Sequence, residues 1–93
     1  MDGAFVYRRM AYTIYILQSE RDGSFYIGYT ARLEERLHRH NEGRSPYTRA
    51  KIPWRIVYQE EYLERSQAMS RERELKSKGS RVYIEQLVRA SRV

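Results

Sequence analysis

The chain contains no cysteine. Disulfides and thiolate chemistry are therefore excluded, and a reducing cytoplasm is the natural setting. No apolar run approaches the roughly 20 residues of a membrane span, so no membrane partner is expected. The opening stretch MDGAFVYRRM lacks the long apolar core and small-residue cleavage site of a secretion signal. Residues 1–11 read as an N-terminal extension, because Met10 directly precedes the patterned part of the chain. Repeats, low-complexity runs and linkers are absent too. Lysine is scarce: three of the eighteen basic residues are lysine and fifteen are arginine.

That last imbalance turns attention to what is present. Net charge is +6, carried mainly by planar guanidinium forks that match phosphate geometry better than a point-charged ammonium does. Nine tyrosines accompany them, and aromatic faces interleaved with arginine suit bases as well as phosphates. The composition fits a polyphosphate partner, and it equally fits a merely well-solvated surface. A hydrophobic share of 41% over 93 residues is enough for one modest core, which we place in a single domain over residues 12–91.

Thr13 to Ser19, TIYILQS, alternates as a half-buried strand does. Asp22-Gly23 is a turn signal, and FYIGYT from Phe25 returns, so the two runs form a hairpin. Pairing Ser19 with Ser24 sets Tyr15 opposite Gly28 and makes Tyr15 and Tyr26 diagonal neighbours on one face. Thr30 is the expected N-cap of the helix RLEERLHRHN, and Gly43 its end. Leu33 and Leu37 form its packing stripe, with Arg36 and His40 one position to the side. GRSPYTRAKIP reads as a loop and WRIVYQEEY as a third strand. A helix capped by Ser66 and closed by Gly79 follows, then a final amphipathic helix, SRVYIEQLVRA. The whole is an α/β (α+β) domain, a three-stranded, mainly antiparallel sheet flanked by helices.

In the helix after Ser66, Ala68, Met69 and Leu75 mark the apolar face, and Glu72 falls within it. A carboxylate there needs an arginine, a tyrosine hydroxyl or a cation beside it. An ion pair with an arginine is the plainer expectation. His38 and His40, two apart on a helix, diverge by about 200° and cannot chelate one metal together. Tyr15 and Tyr26, taken alone, would be an ordinary cross-strand aromatic pair.

Taken in order, these segments resemble the GIY-YIG nuclease family, specifically its small single-domain branch. Thr13-Ile14-Tyr15 stands where the family has Gly-Ile-Tyr, and Tyr26-Ile27-Gly28 matches the second half in full. The resemblance runs from about Tyr12 to Leu87. It implies a catalytic arginine at Arg36, a histidine one turn later at His40, a Tyr-Thr motif at Tyr47 and a metal-binding glutamate at Glu72. Tyr15 and Tyr26 would order the attacking water, and Tyr47 would contact the substrate phosphate or assist the base. The implied cofactor is Mg²⁺ or Mn²⁺, since one carboxylate plus waters suits such an ion. The implied activity is a metal-dependent endonuclease acting on DNA ahead of RNA, structured or damaged forms included, in the service of repair. A separate targeting protein is an expected partner. Arg32, Arg39, Arg44, Arg49 and Lys51 are the expected phosphate contacts. The alternative is a non-catalytic nucleic-acid-binding module of the same fold.

Overall fold

The two β-rich runs and the turn between them form the hairpin as expected. The computed structural model describes residues 11–78 and 81–91, and in it β1 (Tyr12–Ser19) and β2 (Phe25–Thr30) pair antiparallel with Tyr15 opposite Gly28. Asp22 accepts hydrogen bonds from the Ser24 amide and hydroxyl, and Gly23 takes a φ of +79° that suits glycine. β3 (Trp54–Tyr62) pairs antiparallel with the other edge of β1, giving the order β2-β1-β3. The central strand is covered on both faces, so Ile14, Tyr15, Ile16 and Leu17 are buried in succession.

The helices divide between those faces. α1 (Leu33–Asn41) packs Leu33 and Leu37 against Tyr15, Leu17 and Trp54. α2 (Arg65–Lys78) and α3 (Arg81–Ala90) cover the opposite face, Ala68 and Leu75 against Ile14, and Ile84 and Val88 against Ile16. Gly43 ends α1 as expected. It adopts a φ of +79°, its N–H reaches the His40 carbonyl, and the Arg44 N–H reaches the Arg39 carbonyl, the hydrogen-bond pair of a Schellman ending.

Three local expectations are corrected. Thr30 is not the N-cap: α1 begins after Arg32, which makes no side-chain cap, while Thr30 Oγ1 accepts the Arg32 N–H at 3.0 Å to hold the bend out of β2. Ser66 lies inside α2, because the helix starts at Arg65 with Glu64 before it. The Gln67 side chain accepts the Glu64 N–H at 3.2 Å, the returning arm of a capping box. Met69 is 39% exposed, since α2 rests on the narrow line of Ala68 and Leu75 and turns Met69 about 100° away from Ala68. Gly79 and residues 1–10 of the extension lie outside the described residues.

A cluster that local pattern did not announce fastens α2 to the sheet. Arg71 grips both oxygens of Glu60 on β3 at 2.9 Å, and the Tyr58 and Tyr62 hydroxyls donate to the same carboxylate. Burial pushes the Glu60 carboxyl up, but the hydrogen bonds from Arg71, Tyr58 and Tyr62 outweigh it and hold it down at about 2 against an ordinary 4.5. A carboxylate lowered on folding stabilises fully above its unfolded value and loses that contribution as pH falls through the folded one. Urea unfolding should therefore show stability declining between about pH 4.5 and pH 2. Arg71→Gln should remove much of that dependence and cost on the order of 2–3 kcal/mol at pH 7. That is less than for a fully buried pair, because two tyrosine donors remain.

Candidate active site

At the outer strand β2, where glycine replaces a side chain, a cavity of about 480 Å³ draws residues from both faces of the sheet. Tyr15, Tyr26 and Gly28 line it from the hairpin, Arg32 and Arg36 from the start of α1, and Glu72 from α2. Four of the six expected catalytic residues are thus gathered at one place: Tyr15, Tyr26, Arg36 and Glu72. His40 and Tyr47 are not on its wall.

Gly28 explains how the Tyr15 ring fits. A Cβ at this position would lie 2.6 Å from Tyr15 Oη and 2.7 Å from Cζ, so the ring occupies the space a side chain would take. Tyr15 and Tyr26 meet with centroids 6.3 Å apart, and the Tyr26 ring makes an edge contact with His40 at 5.0 Å. Tyr15 is buried and has little room to retreat. Gly28→Ala should displace it at a cost of about 1–3 kcal/mol, the usual range for overpacking. Thermal unfolding and loss of the Tyr15–Tyr26 ring contact by NMR would check this.

Burial pushes the Tyr15 hydroxyl up to about 12, with the neighbouring Tyr26 adding to the rise and the Arg36 guanidinium opposing it. Behind it stands His40, 1% exposed, with Nε2 3.3 Å from Tyr15 Oη and Nδ1 2.8 Å from Thr48 Oγ1. Burial, then the charges of Arg36 and Arg39, lower the His40 pKa, so the ring is neutral at neutral pH. Both ring nitrogens are partnered, one donating and one accepting. Thr48 is itself buried, and its carbonyl accepts from Trp54 Nε1 at 2.9 Å. Asn41 clamps the Trp54 backbone from α1, donating to its carbonyl at 3.0 Å and accepting its N–H at 2.6 Å.

The Tyr47-Thr48 pair therefore splits in two. Tyr47 is 87% exposed, while Thr48 holds the histidine. The expected site residue of the pair is Tyr47, and the one that reaches the site is the hydroxyl beside it. Thr48→Val keeps the shape but strands His40 Nδ1, and should cost about 1–3 kcal/mol. Thr48→Ser should restore most of that stability in the same unfolding measurement.

Arg36 is half-buried and enters no ion pair among the described residues. Glu72 keeps 23% of its side chain exposed and pairs with Lys76 at 3.2 Å. The expected arginine partner belongs instead to Glu60. No group of three or more His, Cys, Asp or Glu side chains that could hold a metal occurs among the described residues. His38 turns outward to Glu42 at 2.6 Å while His40 turns inward. The donors on the cavity wall are one carboxylate among phenols, a hard oxygen set that fits a cation retaining most of its waters.

Of the five expected phosphate contacts, only Arg32 lines the cavity. Arg39 and Arg49 are exposed. Arg44 pairs with Glu42 at 2.7 Å and Lys51 with Asp22 at 3.2 Å. Arg65 joins the wall unannounced, donating through Nε to Tyr29 Oη at 3.3 Å and lying 6.0 Å from that ring's centroid. A helix capped by Ser66 leaves Arg65 outside it, whereas the helix in fact begins at Arg65. Tyr12 and Tyr29, also on the wall, gave no signal beyond their place at the open end of the hairpin.

A hairpin bearing Tyr15 and Tyr-Ile-Gly, a helix bearing Arg36 and a second helix bearing Glu72 together define a class. The GIY-YIG catalytic domain matches residues 11–84, and the chain belongs to the GIY-YIG family, which is a nuclease-type family whose members generally use divalent metals. Within it, the chain is similar to small proteins of one kind. A UPF0213 protein of Streptococcus pneumoniae is 44% identical over 66 residues, covering 70% of this chain and 66% of that relative. One from Bacillus licheniformis is 42% identical over 76 residues, covering 77% of each. The solution NMR structure of a UPF0213 protein from Bacillus halodurans superposes with a TM-score of 0.56 at 38% identity, over 87% of this chain and 85% of that one. No described helix is long and apolar enough to cross a membrane.

Proposed function

We propose that the chain is a divalent-metal-dependent endonuclease that hydrolyses phosphodiester bonds in DNA, including structured or damaged forms. The observation that carries this reading is the meeting of the Arg36 guanidinium, the Tyr15 and Tyr26 phenols and the weakly paired Glu72 carboxylate in a single cavity. Hydrolysis needs a positioned water, neutralisation of charge on the phosphoryl oxygens and a stabilised leaving oxygen. Glu72 would hold Mg²⁺ or Mn²⁺, which supplies Lewis-acid stabilisation of that charge when bound.

This chain's own residues divide the remaining work. Arg36 presents its fork to the phosphoryl oxygens. Tyr15, with its hydroxyl pushed up to about 12, keeps its proton at neutral pH and acts as a donor that orders water or phosphate beside Tyr26. His40 is a positioning residue, holding Tyr15 from the buried side while Thr48 sets its ring. Arg32 and Arg65 receive the flanking backbone at the rim. Tyr47 and the exposed arginines Arg39, Arg44 and Arg49, with Lys51, meet the strand farther out. A separate protein supplies target choice in the cytoplasm.

The test is a panel of labelled DNA and RNA forms incubated with magnesium, manganese or a chelator. The proposal expects DNA cleavage with either ion and none with the chelator. Binding of the panel without cleavage under any ion would replace it with the non-catalytic binding module.

A further inference from the structure

Beside the candidate active site lies a second cavity, of about 430 Å³, for which the proposed chemistry has no use. Its floor is apolar. Leu75 and Ile84 are buried beneath it, and Phe25 and Ile27 line it from the edge strand. Its cations are Lys76 and Arg81, and no carboxylate is among the described residues that line it. The Arg81 guanidinium lies over the Phe25 ring, 5.0 Å from its centroid.

Both cations are held only loosely. Lys76 pairs with Glu72 at 3.2 Å and Arg81 with Glu85 at 3.0 Å. These are one-turn pairs in which the basic side chains are 54% exposed, and such pairs contribute little and yield readily to a phosphate. A purely apolar ligand would leave the cations unused, and a free anion would leave the floor unused. A flat aromatic base carrying its own phosphate uses both, stacking on the aromatic–guanidinium wall with its anion toward the cations.

The position of the cavity says which nucleotide. Tyr26 lines both cavities, and Lys76 of the second is bonded to Glu72 of the first. The two cavities therefore adjoin, and a strand with its phosphate in the first would have its neighbouring nucleotide at the second. The floor is formed by side chains of α2 and α3, so a base reaches it only after leaving its stack. We propose that this cavity receives the base of the nucleotide next to the scissile phosphate. The substrate class is then nucleic acid with an unpaired nucleotide at the cleavage point, in preference to intact duplex. The assignment of the neighbouring phosphate rests on the nuclease reading; base binding does not.

An NMR titration with deoxyadenosine monophosphate, beside 2-deoxyribose 5-phosphate as the base-free probe, tests the binding. Deoxyadenosine monophosphate should move the Phe25 and Ile27 resonances saturably, and the base-free probe should leave them in place. Phe25→Leu keeps the apolar volume without the ring, and Arg81→Gln changes only an exposed side chain. Each should raise the apparent Kd at least about 5-fold, the lower end for loss of one base–aromatic stack. Equal shifts from both probes, or unchanged affinity in both folded variants, would overturn the base pocket. Cleavage of a duplex with one unpaired nucleotide should exceed that of the intact duplex at least about 10-fold, and equal rates would overturn the substrate class. Because the titration needs no turnover, base binding without any cleavage removes the nuclease reading and leaves the pocket standing. Cleavage without base binding does the reverse.

Discussion

Arg36→Ala should lower the turnover number of metal-dependent cleavage by about 10²–10³-fold, the range seen when one preorganised donor to a developing oxyanion is removed. The protein should stay folded, losing no more than about 1 kcal/mol. The expectation of an intact fold follows from the structure around the guanidinium. Arg36 lines the cavity, no carboxylate among the described residues is ion-paired to it, and the cluster that pins α2 to the sheet uses Arg71 and Glu60 instead. Its charge acts on two neighbours, drawing the Tyr15 hydroxyl down against the effect of burial and helping to lower the His40 pKa. Arg36→Lys should recover part of the rate, because it returns the charge without the two-pronged geometry. If Arg36→Ala unfolds instead, the residue is a structural tie and its proposed role in phosphate binding fails.

Glu72→Gln should have an effect at least as large on cleavage, about 10²-fold or more, by removing the negative charge that would hold the cation. Its structural consequence should be small. The pair lost is the one-turn link to Lys76, half of which is exposed, and such pairs are worth about 0.3–0.5 kcal/mol. Glutamine keeps the volume on a helix face anchored by Ala68 and Leu75, both fully buried. Circular dichroism and melting should match wild type while cleavage does not. A large fall in stability would show that Glu72 is held for the fold.

Local rules were enough wherever one element decided the outcome. The hairpin, the Asp22-Gly23 turn and the register of Tyr15 against Gly28 are consequences of neighbours in sequence, and the structure reproduces them. The half-buried reading of TIYILQS fails, because β1 is the central strand and both its faces are covered. The same holds for Leu33 and Leu37 and for the Gly43 ending of α1. What pattern reading lost was decided by groups far apart in the chain. Arg71 chooses Glu60, eleven residues away and on another element, and no periodicity says which of fifteen arginines will do so. Thr48 meets His40 across the turn after α1, where the larger Tyr47 is the more conspicuous residue. A cap at Ser66 sets the helix boundary two residues late and leaves Arg65 outside the helix. In the site itself, helix spacing set Arg36 beside one packing stripe and Glu72 on another, and the family resemblance gave each its role. That they share one cavity with Tyr15 and Tyr26 depends on β2 being the outer strand, a matter of strand order that neither helix encodes.

The measurement closest to the central claim is single-turnover cleavage by wild type and Glu72→Gln across a magnesium titration, using the best-cleaved DNA form, with binding recorded on the same samples. Cleavage by wild type should rise with magnesium, and Glu72→Gln should bind the DNA equally without cleaving it. Equal cleavage by the two proteins, or cleavage that persists in a chelator, would contradict that claim.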